Sequence, residues 1–260
     1  MAASDQPKLR VLCATDLWTR SDFALQRTLS LVAASDAQSL LLHVVDEEKP
    51  LRLAGRMADR AHNALAWRVR QWGPLVEPPD ISVRIGRPHH LVAQVAHDWS
   101  ADLIVLGAYR PRTADWLLGT TAERLAARAR CAVLVVNADP ATTYSDITFA
   151  AASIDSARSL AQIVSHLGIA HPVRPQYRTL AHVNFESVAR ALLGTGSDLI
   201  VTDLDRLPLA TRLLRRNLTN ALVRRARCDV LIASTGPEPG RKPGEQSIGA
   251  CLGTAAEPVV

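Results

Sequence analysis

The tetrapeptide Leu103-Ile-Val-Leu106 puts apolar side chains on both faces of any strand it forms. A strand with one wet face alternates polar and apolar residues, so an uninterrupted run belongs to a parallel sheet covered by helices on both sides. A second run of this kind follows at Ala132–Val136. Between the two lie Gly107, a loop, and Gly119 ahead of Thr120-Thr-Ala-Glu123. That spacing fits a capping box at a helix start, in which hydroxyl and carboxylate satisfy exposed amides reciprocally. Strand, glycine loop and capped helix start together make a seat for a phosphate, because free N–H groups and the helix dipole both favour an anion.

The rest of the chain repeats the same alternation. A strand over Leu9 to Thr15 ends in Asp16, and a helix capped by Ser21 or Asp22 runs to about Ala34. Strands at 39–45 and 81–85, with helices at 53–72 and 89–99, complete five strands and four helices by about Asn137. Strands alternating with helices imply parallel βαβ units joined right-handedly. A worn copy follows. Ser197-Asp-Leu-Ile-Val echoes Ala101-Asp-Leu-Ile-Val, and Arg225-Ala-Arg-Cys-Asp-Val-Leu echoes Arg128-Ala-Arg-Cys-Ala-Val-Leu. Ile147 to Ser153 echoes the first strand, with Ser153 in the place of Asp16. Helices at 156–167 and 184–193 flank one short strand around 173–180, where the first half has two strands. An internal period of this kind identifies a tandem architecture.

The stretch from Gly107 to Thr120 resembles the signature of universal stress proteins, a Gly, two residues, a Gly, nine residues, then Gly-Ser/Thr. Gly107 and Gly119-Thr120 match it, Arg110 stands where the middle Gly belongs, and the second gap is one residue short. The resemblance covers residues 8 to 137 well and 145 to 234 weakly. It implies two tandem α/β sandwiches of the Rossmann-like, adenine nucleotide alpha hydrolase type, each with a parallel sheet, the second one reduced. The expected boundaries are 1–140 for a first domain that keeps part of the nucleotide loop, 141–235 for a degenerate second domain, and 236–260 for a disordered tail rich in Gly and Pro.

What the resemblance implies for function is a non-enzymatic stress-response module that binds ATP, with Mg²⁺, or another adenine nucleotide in the first domain. The site residues carried over are Thr15, Asp16, Val44, Gly107, Arg110, Gly119 and Thr120, with Asp16 on the adenine or ribose side and Val44 meeting adenine through its backbone. Each has a plainer reading beside it. Asp16 fits a turn or capping residue, Thr120 an ordinary helix cap, and the glycines tight turns. Arg110 cuts both ways. A left-handed conformation at a non-Gly residue costs about 1–2 kcal/mol, whereas a guanidinium hydrogen bond to phosphate contributes about 1.5–3 kcal/mol. The alternative is a nucleotide-free protein-interaction scaffold with Arg110 or Tyr109 filling the cleft. In the second half Asp203, Arg206 and Arg216 occupy the three glycine positions, and Asp203 repels a phosphate. The family pairs domains through the last strand, so Cys131–Val136 and Asp229–Ile232 are the expected edges for intramolecular pairing, with a homodimer as a further option.

Composition narrows the remaining classes. A 48% hydrophobic and 21% charged chain has the balance of a globular protein. It holds no run of about 18 apolar residues to span a membrane and no basic-then-apolar leader, so the expectation is a cytoplasmic protein. The net charge of +5 rests almost wholly on Arg. The run from Arg212 to Arg227 raises nucleic acid as a partner, but such a run is more often a solvated face. Cys13, Cys131, Cys228 and Cys251 lack metal-ligand spacing, and Cys13, Cys131 and Cys228, in or beside strands, read as reduced, buried, small apolar residues. His43 reads as a satisfied histidine at a strand end. His89-His90 lacks a third ligand nearby and, as adjacent helical residues, does not share one face. No GxSxG elbow or Walker-type Lys is present.

Overall fold

Strands that are apolar on both faces need helices above and below, and that requirement organises the molecule. The computed structural model describes residues 8–35, 37–48, 50–72, 77–108, 121–126, 129–140, 144–151, 153–169, 176–179, 185–203 and 221–233. The first half contains β1 (Leu9–Thr15), α1 (Thr19–Ala34), β2 (Ala37–Val45), α2 (Leu51–Trp72), β3 (Asp80–Ile85), α3 (Pro88–Asp98), β4 (Leu103–Gly107), α4 (Thr121–Ala126) and β5 (Ala132–Val136). The second contains β6 (Ile147–Ala151), α5 (Ile154–His166), β7 (Gln176–Thr179), α6 (Phe185–Leu193), β8 (Leu199–Asp203) and β9 (Asp229–Ala233). These strands form one sheet in the order β3-β2-β1-β4-β5-β9-β8-β6-β7. Every neighbouring pair is parallel except β5 and β9.

Period-two alternation sends each strand's residues to opposite faces. Val11, Cys13 and Leu41 pack with Leu25 and Leu29 of α1 and Leu65 of α2. Leu12, Leu42 and Ile104 pack on the other face with Val92 and Ala96 of α3 and Leu125 of α4. Both clusters continue past β5 into the second half, the first through Phe149, Leu160 and Leu231, the second through Leu192, Ile200 and Val230. The core is therefore shared across the β5–β9 junction. Each fully buried Leu there contributes about 1.5–3 kcal/mol.

Ser39 of β2 breaks this pattern: it is 6% exposed, and its hydroxyl has no hydrogen-bond partner among the described residues. A buried unsatisfied hydroxyl costs about 1–3 kcal/mol, so Ser39→Ala is expected to raise the urea midpoint. A lower midpoint would show that the hydroxyl is bonded in solution.

The two strands expected to meet do so. Val133, Leu134 and Val135 face Ile232, Leu231 and Val230 in antiparallel register. The two halves also share a small hydrogen-bond device. Asp102, just before β4, accepts the Arg10 N–H at 2.9 Å and returns its own N–H to the Arg10 carbonyl at 2.9 Å. Asp198, just before β8, accepts the Asp146 N–H at 3.1 Å and returns its N–H to the Asp146 carbonyl at 2.9 Å. The carbonyls of Asp102 and Asp198 then receive the N–H groups of Ala132 and Asp229, the first residues of β5 and β9.

Register corrects one reading of the repeat. Val11 faces Leu103 and Ile147 faces Leu199, so the place of Asp16 falls at residue 152 and Ser153 lies one step later. Ser153 instead caps α5, its Oγ accepting the Ser156 N–H at 3.1 Å. The helix α1 also begins earlier than its sequence signals. It starts at Thr19, with Trp18 at the cap position and no side-chain cap bond, because an indole has no acceptor for the first-turn amides, while Ser21 lies inside the helix with its hydroxyl on Asp16. Most of the arginine run between 212 and 227, the Thr120–Glu123 capping box and the 236–260 segment lie outside what the described residues show.

At the junction the second half carries an acid where the first has none. Asp229 stands at the place of Ala132 and is 0% exposed. Its Oδ1 accepts the N–H groups of Asn137 and Ala138 at 2.8 and 2.9 Å. Its Oδ2 accepts the Tyr144 hydroxyl at 2.5 Å and lies 3.4 Å from the Arg27 Nε. The Arg27 guanidinium, carried over from α1, stacks 4.3 Å from the Tyr144 ring centroid.

Candidate functional site

In a parallel sheet the strands deliver their carboxyl ends to one edge, and a crevice opens where the strand order reverses. Here β1 sends the chain outward to β2 and β3, and β4 then returns to its other side, so the crevice lies between β1 and β4. A cavity of about 210 Å³ occupies that place. Thr15 and Asp16 from β1 and the turn after it, Val44 from β2 and Gly107 from β4 all line it. Leu42, Val92 and Leu106 supply apolar wall. The structure thus gathers four of the seven expected site residues around one cleft. Arg110, Gly119 and Thr120 lie outside the described residues, as does Tyr109.

The turn after β1 is held by its own side chains. Asp16 Oδ1 accepts the Trp18 N–H at 3.0 Å and the Ser21 hydroxyl, while the Asp16 N–H donates to Ser21 Oγ at 3.3 Å. Thr15 Oγ1 accepts the Leu17 N–H at 3.0 Å, with Leu17 in a left-handed conformation at φ 66°. Arg68 of α2 then clamps the turn, donating to the Leu17 carbonyl at 3.2 Å and to Asp22 Oδ1 at 2.7 Å. The turn reading and the ligand reading of Asp16 are compatible, since Oδ2 takes no part in these bonds. His43 donates from Nδ1 to the Thr15 carbonyl at 2.8 Å, which ties β2 to β1 and gives this histidine a structural role.

Gly86 turns the chain from β3 into α3, whose Pro88 and Val92 line the cleft. Its N–H donates to the Val45 carbonyl at 2.9 Å, and its φ is 155°. A Cβ there would lie 2.7 Å from Leu91 Cδ1. Gly86→Ala is expected to cost about 1–3 kcal/mol, because that backbone region is essentially closed to other residues. An unchanged unfolding midpoint would refute this.

Other candidate side chains are placed plainly. The rings of His89 and His90 lie 4.5 Å apart by centroid, with Arg124 Nη1 3.4 Å from both His89 nitrogens. Among the described residues no group of three or more His, Cys, Asp or Glu side chains is placed to hold a metal ion. Cys13, Cys131 and Cys228 take part in no disulfide among the described residues. Burial pushes the Cys13 thiol up to about 12 and the Cys228 thiol up to about 11, so neither offers a thiolate near neutral pH. At the second-half position equivalent to Gly107, Asp203 pairs with Ala233 as Gly107 pairs with Val136. Among the described residues no helix is long and apolar enough to cross a membrane.

Sequence reasoning missed the supports rather than the cleft. Nothing near Asp16 announces Arg68, which arrives from another helix. The acid at Asp229 did leave a signal, a charged residue opening an apolar strand where its counterpart is Ala132.

These features define an open-sheet, Rossmann-like α/β protein with a crevice at its switch point. Residues 9–137 match the model of the Universal stress protein family, and this first half of the chain belongs to that family. Universal stress protein A homolog 2 of Coxiella burnetii is 28% identical over 136 residues, 49% of this chain and 93% of that protein. A universal stress protein from Archaeoglobus fulgidus DSM 4304 is similar in structure over 86% of this chain and 96% of its own, at TM-score 0.60 and 13% identity. That likeness shows the fold, and it extends over both halves. A universal stress protein solved in complex with cAMP is similar over 49% of this chain and 96% of its own, at TM-score 0.42 and 22% identity.

Proposed function

We propose that the chain is a non-enzymatic, cytoplasmic stress-response module whose β1/β4 cleft takes an adenine nucleotide, ATP with Mg²⁺ foremost. The observation that carries this reading is the convergence of Thr15, Asp16, Val44 and Gly107, from three strands, on one cavity of about 210 Å³. Its apolar wall suits a purine face, and the carboxylate of Asp16 accepts from ribose hydroxyls or the adenine amino group. Sites for drug-sized molecules run to about 300–1,000 Å³, so the cleft takes the nucleoside end and the phosphates extend past Gly107. Arg110 and the Gly119-Thr120 helix start are their proposed contacts. Asp16, the one carboxylate among the described lining residues, is assigned to the nucleoside end, and Mg²⁺ commonly keeps several waters and binds substrate phosphates. The ion would thus be held chiefly by the phosphates.

The same proposal includes the domain limits, 1–140 and 141–235 with a tail over 236–260. The second half is a reduced copy that keeps the sheet and gives up the phosphate loop. The shared Asp102 and Asp198 device and the matched registers support this, and β5–β9 pairing within the chain takes the place of pairing between chains.

Calorimetric titration of ATP with Mg²⁺ into the full chain, freed of co-purified nucleotide, tests the reading. Saturable binding near one nucleotide per chain is expected. No heat and no thermal stabilisation at millimolar ATP would overturn it in favour of a nucleotide-free interaction scaffold.

A further inference from the structure

A second cavity, of about 260 Å³, lies at the junction of the two halves, away from the cleft. Ala138 and Tyr144 line it from the segment after β5, Leu192 and Leu193 from α6, Asp198 from the turn before β8, and Arg227 from the approach to β9. Arg27 also reaches it, but its guanidinium is already set against Asp229 and Tyr144.

The groups still open in this lining are of both signs. Asp198 Oδ2 is fully used, accepting the Ser145 Oγ–H at 2.7 Å and the N–H groups of Ser145 and Asp146 at 2.9 and 3.1 Å. Asp198 Oδ1 accepts no hydrogen bond among the described residues. Arg227 is exposed and forms no ion pair among the described residues. One open carboxylate oxygen and one open guanidinium line the same cavity as leucine and alanine side chains. They match a molecule that carries a carboxylate, an ammonium and an apolar body.

We infer that the junction cavity binds a small apolar zwitterion of the amino-acid class, its carboxylate toward Arg227, its ammonium toward Asp198 and its side chain against Leu192 and Leu193. Binding is non-covalent and reversible. The walls come from both halves, so the ligand stabilises the folded chain by mass action and tightens the junction.

The probe is L-leucine, added to the full chain at millimolar concentration in thermal unfolding and isothermal titration, with leucinamide and 4-methylpentanoate as single-charge controls. Leucine is expected to raise the unfolding temperature saturably, and the controls to leave it unchanged. In Arg227→Gln the leucine Kd is expected to rise about tenfold or more, the loss of one charge-assisted hydrogen bond. The shift persists with saturating ATP, since the two cavities are separate. Absence of a saturable leucine shift, an equal response to either control, an unchanged Kd in Arg227→Gln, or displacement of leucine by ATP would each overturn the assignment.

Discussion

Asp229→Ala is expected to lower the unfolding free energy by about 3–5 kcal/mol, the cost of leaving a buried partner charge uncompensated. The change removes the counter-charge of Arg27, which is only 5% exposed, and the acceptor of the buried Tyr144 hydroxyl. It also orphans the N–H groups of Asn137 and Ala138. Asp229→Asn keeps an acceptor for those amides and is expected to cost less. Adding Arg27→Met to Asp229→Asn should recover part of the loss, since interacting neighbours couple by about 0.5–3 kcal/mol. Denaturant unfolding of the four proteins measures this, and an Asp229→Ala loss within about 0.5 kcal/mol, the range of ordinary surface changes, would refute the clamp.

The pH dependence follows with a definite sign. Burial pushes the Asp229 carboxyl above its ordinary value of 3.8, against the pull of its hydrogen bonds and Arg27. A folded-state value above the unfolded one means that the native chain holds the proton longer. The associated stability is complete below the unfolded value and is lost as pH rises through the folded one. The stability difference between the native chain and Asp229→Asn is expected to shrink over that rise. A difference that grows would reverse the assignment.

Asp16→Ala is expected to raise the nucleotide Kd by about tenfold or more, the weight of a hydrogen bond to a charged group at about 1.5–3 kcal/mol. Asp16 also accepts the Trp18 N–H and the Ser21 hydroxyl, so some stability is lost as well. Asp16→Asn separates the two effects, because it preserves an acceptor for the turn while removing the charge. Calorimetric Kd values for the three proteins decide the matter. An affinity unchanged in Asp16→Ala would remove the carboxylate from the binding mode.

The elements that local pattern could define were legible from the start. Leu103–Leu106 and Ala132–Val136 are apolar on both faces, and only a parallel strand between helices satisfies that. The cleft was legible for the same reason. A parallel sheet gathers its strand ends at one edge, so Thr15, Asp16, Val44 and Gly107 had to come near one another once β1, β2 and β4 were placed. The pairing of β5 with β9 was open to reading from the family resemblance, and the repeat made it concrete in Val133–Val135 and Val230–Ile232.

Tertiary structure alone decided the contacts between distant residues. Arg27, Tyr144 and Asp229 meet only because antiparallel β5–β9 register turns the second half against α1, and no local propensity encodes that register. Ser21, a good helix cap by type, instead lies inside α1 with its hydroxyl on the Asp16 carboxylate. Arg68 reached the same turn from a helix two elements away. The chain's sequence by itself determined which segments must be buried and at which edge a crevice must open, because hydrophobic periodicity acts over neighbouring residues. The charge inventory of the junction, and the cavity beside it, were set by packing, which brings together side chains that the sequence holds far apart.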